Sequence, residues 1–95
     1  MKKFVMQHIG FDRPTPEVMQ AWGEWFESIQ DQTVENVGLM AGREVTKDGT
    51  KALPWGLDSV TGYTVVQAES IDEAEAMARA CPSITSIRVY EVREG

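Results

Sequence analysis

The chain has 95 residues, 42% of them apolar and 25% charged, and a formal net charge of −6. That length allows one domain, residues 1–95, with one modest core, burying somewhat over ~60% of the unfolded surface. The acidic balance argues against a nucleic-acid backbone or an anionic membrane surface as partner, and no apolar run is long enough to span a bilayer.

Met1-Lys2-Lys3 opens like a signal peptide, but Gln7 and His8 interrupt the apolar run too early for one. Cys81 is the only cysteine, so no internal disulfide forms, and a cytoplasmic location is expected.

Lys3 to Ile9 reads as a first strand. Phe4, Met6 and His8 alternate with Val5, Gln7 and Ile9, and both faces carry apolar residues, as a central strand requires. Gly10 to Pro14 is a turn. Thr15 is placed to cap a first helix, with Pro16 at the position where its missing N–H costs nothing. Val18, Met19, Trp22, Trp25, Phe26 and Ile29 recur at helical spacing through Gln30. Gly23 inside that helix costs about 1 kcal/mol relative to alanine; it serves a close backbone approach or is tolerated.

Asp31 to Asn36 reads as a polar connection, and Val37 to Val45 as a second strand. A long connection, Thr46 to Thr61, follows. Asp48-Gly49 is a turn signal, Lys51 to Leu53 is able to pair briefly with the second strand, and Pro54 ends that pairing. Tyr63 to Ala68 is rich in β-branched and aromatic side chains and reads as a buried strand. Ser70 and Glu73 then form an S-x-x-E capping box. Ile71, Ala74, Ala78 and Cys81 make one apolar stripe on the second helix, which Pro82 stops. Ile84 to Arg93 is the last strand.

The order is β-α-β-β-α-β, the split pattern of α+β ferredoxin-like folds. Right-handed crossovers put both helices on one face of a four-stranded antiparallel sheet, with the first and third strands central. The face without helices is left with apolar strand residues, a patch soluble monomers rarely expose. A homodimer through that face, a dimeric α/β barrel, is therefore expected. The alternative is a monomer in which Thr46–Thr61 folds over the open face.

The chain resembles the YCII-related family over most of its length. VGLMAGREV looks like that family's G-x-L-x-x-G-E pattern, GYTVVQAESIDEAEAMARACP like its strand–helix block, and VYEVRE like its E-V-R ending. The resemblance implies a ferredoxin-like dimer with a pocket between sheet and helices or at the dimer interface. In some relatives a His–Asp pair is regarded as catalytic, and at least one relative removes chloride from a chlorinated aromatic. Two departures matter. The D-G-P-F stretch of one subfamily is replaced by KDGTKALPWGLDS, and the aspartate near the end of the second helix has no counterpart in Arg79-Ala80-Cys81-Pro82. The His–Asp mechanism is therefore not carried over intact.

His8 is the only histidine and the candidate general base; otherwise it is a hydrogen-bonded structural residue. Asp12, Asp58 and Glu44 are its candidate carboxylate partners, Asp58 being favoured because the long loop can fold back. Arg43 is a candidate anion-binding residue, or else half of a surface ion pair. Trp22, Trp25 and Phe26 either wall a pocket for an aromatic ligand or are core, and core is favoured for at least two. Trp55 is a pocket lid or a dimer contact. One histidine and one cysteine do not make a zinc site, Cys81 reads as inert core, and no nucleotide fingerprint is present, so neither metal nor cofactor is expected. Two functions follow: a dimeric protein that binds a small aromatic or lactone-like ligand, with cofactor-free lyase- or isomerase-type activity on a cyclic or aromatic metabolite as its catalytic form, or a non-catalytic dimeric interaction or regulatory module. A carboxylate beside His8 favours the first; a pocket filled by Trp22 and Trp55 favours the second.

Overall fold

The computed structural model describes residues 1–94; Gly95, the last residue of the expected domain, lies outside the described residues. The elements run β1 (Lys2–Ile9), α1 (Pro16–Ser28), a 3-10 turn (Gln30–Gln32), β2 (Thr33–Gly38), β3 (Gly42–Thr46), β4 (Gly49–Leu53), β5 (Val60–Ala68), α2 (Ile71–Arg79) and β6 (Ser86–Glu91). Four strands form one antiparallel sheet in the order β2-β5-β1-β6, and β3 and β4 form a separate ribbon. This is the split βαβ arrangement, with β1 and β5 central as expected.

Register fixes the faces. Phe4 pairs with Val66 and Glu91, and Met6 with Thr64 and Val89, so these side chains share a face. That face meets both helices: Phe4, Met6, Val66 and Ala68 pack with Trp25 of α1, with Ile29 just past its end, and with Ala74 and Ala78 of α2 in one buried cluster. The alanines let α2 lie close to the strands. Thr15 accepts a hydrogen bond from Val18 N at 3.2 Å, with Pro16 beginning the helix. Ser70 accepts from Glu73 N at 3.3 Å, the half of the capping box that the structure forms.

The helix-free face carries the cross-strand rows Glu35–Val65–Val5–Tyr90 and Val37–Tyr63–Gln7–Arg88. The first row is apolar over three strands, and Tyr90 is exposed.

The expected second strand, Val37 to Val45, needs correction. The ladder begins earlier, at Thr33, inside the supposed polar connection, and ends at the Gly38–Gly62 pair. Beyond Gly38 the central strand has almost no length left to pair with, so the chain leaves the sheet, and Gly42–Thr46 pairs instead with Gly49–Leu53. A two-residue loop joins them, with Gly49 at φ +144°. Thr46–Thr61 therefore does not cover the open face; every residue of both hairpin strands is exposed. Two helical assignments also shift. Met19 is 62% exposed and Ile71 is 51% exposed, so both lie off the core stripes of their helices, while Cys81 sits past the end of α2 yet remains buried.

Candidate functional site

His8 lies near the end of β1, on the helix-covered face, opposite Gly62 of β5 and Ile87 of β6. It is 6% exposed. The Trp22 and Trp25 rings stand edge-on to it, with centroids 5.1 and 5.6 Å away. Trp25 is buried, and its indole N–H is committed to the Met77 carbonyl at 2.9 Å. Trp22 and Phe26 are half-buried. Of the three aromatics, then, one is core and two combine packing against the core with exposure to a cavity.

That cavity, about 340 Å³, is lined by His8, Trp22, Phe26, Asn36, Val37 and Thr61 together with Gly38 and Gly62. Its volume falls at the lower end of the small-molecule range, and its walls combine aromatic surface with a few polar groups, as ligand sites do. Among the described residues, no charged side chain lines it. Gly62 is required where it stands: a Cβ there would lie 2.7 Å from the Val37 carbonyl oxygen, so β2 approaches β5 closely on one side of the cavity.

A hydrogen-bond chain runs from His8 through Thr64 to Asn36. His8 Nε2 is 2.8 Å from Thr64 Oγ1, and Thr64 Oγ1 donates to Asn36 Oδ1 at 2.9 Å. A hydroxyl has one proton. With the Asn36 carbonyl oxygen facing Thr64, the hydroxyl gives its proton to Asn36 and accepts from His8, the arrangement in which Nε2 is the protonated ring nitrogen. Nδ1 is then a bare acceptor, buried and without a hydrogen-bond partner. Leaving such a group unmatched costs about 1–3 kcal/mol. Burial also holds the imidazole below its ordinary pKa of 6.5, because the charged form is poorly solvated there. The ring is therefore neutral at pH 7 and able to accept a proton.

The other residues singled out from the sequence stand elsewhere. Arg43, Trp55 and Asp58 line a separate open groove of about 670 Å³ between the hairpin and residues 54–60, together with Glu44 and Lys51. The Trp55 ring stacks on Phe11 at 5.0 Å. The structure thus brings His8 together with Trp22, and Arg43 together with Trp55 and Asp58, in two different cavities. Asp12 is exposed and accepts from Arg13 N at 2.8 Å. The hydrogen-bond partner of His8 is Thr64, not a carboxylate. Thr64 and Asn36 are the site residues that sequence reasoning missed. Thr64 alone carried a signal, strand alternation: it is a polar residue at an inward position of a buried strand, which calls for a hydrogen-bond partner, whereas Asn36 is an exposed residue of β2. Burial pushes the Cys81 thiol up to about 12, leaving it protonated and unreactive. Among the described residues, no group of three or more histidine, cysteine or acidic side chains stands together as a metal site, and no helix is long and apolar enough to cross a membrane.

Fold and cavity define the class: a ferredoxin-like α+β domain with a small aromatic-walled cavity between its sheet and first helix. The YCII-related domain matches residues 4–94, nearly the whole chain, and the protein belongs to that family. Among solved structures the chain is similar to 5-chloro-2-hydroxyhydroquinone dehydrochlorinase (TftG) from Burkholderia phenoliruptrix AC1100, in complex with 2,5-dihydroxybenzoquinone. The TM-score is 0.59 at 16% identity, over 98% of this chain and 95% of that one. At that identity the likeness speaks for the fold alone. No curated protein sequence matches the chain.

Proposed function

We propose that the protein is a homodimer that binds a small cyclic or aromatic molecule in the His8 cavity. The observation that carries this reading is a neutral, buried histidine with an unmatched acceptor atom beside a cavity walled by Trp22 and Phe26. Most buried polar atoms are hydrogen-bonded; here one ring nitrogen is held by Thr64 and the other is left unmatched, which suits an atom that a ligand completes. The related fold of a dehydrochlorinase bound to a dihydroxybenzoquinone supports the ligand class.

The same observation favours a catalytic extension over a passive module. A neutral imidazole near a ligand is a general base, and His8 would accept a proton from the bound ring in a lyase- or isomerase-type step. Asp58 and Arg43 would act only on a molecule that reached the hairpin groove, a distinct site on this chain.

The surface supports the dimer. The Val65–Val5–Tyr90 row lies on the helix-free face, and Leu39, Met40, Val45, Leu53, Trp55, Leu57 and Val60 are exposed around the hairpin. Apart from Val65, which is already buried within its own chain, these residues leave apolar surface that a second copy would cover.

Light scattering after size exclusion tests the dimer: wild type should run at twice the chain mass and Val5→Lys/Tyr90→Lys at one. A wild-type monomer would refute it. Ligand binding is tested by titrating small hydroxylated aromatics while following tryptophan fluorescence and the His8 imidazole resonances, which are unambiguous because the chain has one histidine. Resonances that stay unmoved in wild type would refute binding at this cavity.

A further inference from the structure

We propose that Thr64 and Asn36 set the ligand class by locking His8 in the Nε2–H form, so that the cavity selects an uncharged ring bearing a hydrogen-bond donor, of the phenol or enol type, and rejects carboxylates. This rests on the cavity being the ligand site and specifies what that site accepts.

Three observations converge on it. The direction of the Thr64 to Asn36 hydrogen bond leaves His8 Nδ1 as an acceptor only. Nδ1 has no partner among the described residues, so the group that completes it must bring a proton. Finally, the lining of the cavity contains no lysine, arginine or acidic residue. A carboxylate placed there would lose its water and meet a bare nitrogen lone pair, with no cation to offset either. A phenol would bring one O–H to Nδ1 and lay its ring against Trp22 and Phe26. Nδ1 is closed off from bulk water, so a ring packed edge-on against His8, the half-buried Trp22, must move for the ligand's O–H to reach it. Arg43 is in the other groove and supplies no charge here.

Thr64 and Asn36 are positioning residues, acting through the histidine. Thr64 is fully buried on β5, and Asn36 stands directly across from it on β2. The tautomer is thus fixed by the register of two strands rather than by a carboxylate.

The experiment uses full-length protein with 15N-labelled histidine near pH 7.5, and three probes: phenol, anisole and benzoate. Anisole keeps the neutral ring and removes the donor; benzoate keeps the ring and adds the charge. Long-range 15N–1H spectra should show Nε2 protonated and Nδ1 bare. Phenol should shift the Nδ1 resonance and bind about tenfold more tightly than anisole, the scale of one good hydrogen bond, with benzoate weaker still. Thr64→Val, nearly isosteric, should release the tautomer and erase most of the phenol-over-anisole preference, and Thr64→Ser should restore both. An Nδ1–H tautomer in wild type would overturn the proposal. So would benzoate or anisole binding as well as phenol, although the cavity would then still stand as a ligand site. If none of the three probes binds, the ligand-site reading fails and this proposal fails with it.

Discussion

The indole N–H of Trp25 donates to the carbonyl of Met77 at 2.9 Å, joining α1 to α2 above the sheet. The same ring forms one wall around His8, so the bond links core packing to the geometry of the cavity. Trp25→Phe keeps an aromatic ring and loses that bond, and should cost about 1 kcal/mol. Trp25→Ala leaves a large void among Phe4, Met6 and Ala78 and should cost about 3–5 kcal/mol. Urea denaturation of both variants measures the difference. Equal losses would mean that the hydrogen bond, not the packing, dominates at this residue.

Two glycines should respond to alanine in opposite directions. At Gly62 a Cβ meets the Val37 carbonyl oxygen at 2.7 Å, a backbone atom that yields only if β2 shifts. Gly62→Ala should therefore destabilise by about 1–3 kcal/mol and perturb the amide resonances of Thr33–Gly38. At Gly23 nothing lies within 4 Å of an added Cβ. Gly23→Ala should stabilise by about 1 kcal/mol, since the glycine in α1 is merely tolerated and alanine is the better helix former. Thermal melts of the two variants give both signs.

Most of the fold was legible because periodicity, capping and turn chemistry agreed along the chain. Thr15-Pro16 and Ser70 announced the two helices, and Phe4, Met6 and Val66 announced the covered face of the central strands. The edge strand β2 was misplaced for a physical reason. Glu35 and Asn36 are acceptable there because an edge strand needs little apolar surface, and a bulge near Val34 disturbs the alternation that marks a strand. The apolar residues of 37–45 gave a stronger signal, but Val45 belongs to an exposed hairpin. That His8 and Trp22 would stand together was legible because the β1 and α1 patterns point them at the same interface. Thr64 and Asn36 were not, because their partnership is set by cross-strand register, which nothing local encodes.

Ser70→Ala should cost about 1 kcal/mol, because it removes the side chain that accepts from Glu73 N at the start of α2. Glu73→Ala should cost only a few tenths, since its carboxylate contributes through the helix dipole and not through a return bond to Ser70. Chemical denaturation of the two variants separates these contributions; a larger loss at Glu73 would mean that the full capping box forms in solution.

The burial of His8 makes stability depend on pH, with a definite sign. Its folded pKa is lowered from 6.5 by desolvation, so the unfolded chain takes up a proton at a pH where the folded protein still refuses it. Stability is therefore fully present above about pH 6.5 and falls as the pH drops from there toward the folded pKa. One proton sets the slope at no more than about 1.4 kcal/mol per pH unit. Below the folded pKa this contribution changes no further. Carboxylates add their own dependence at lower pH, so the comparison is with His8→Gln, which cannot titrate. Urea midpoints from pH 8 to 5 should fall more steeply for wild type than for His8→Gln below pH 6.5, and run parallel above it. Parallel curves throughout would mean that His8 titrates as freely in the folded protein as in the unfolded chain, and that the cavity wall around it is open to water.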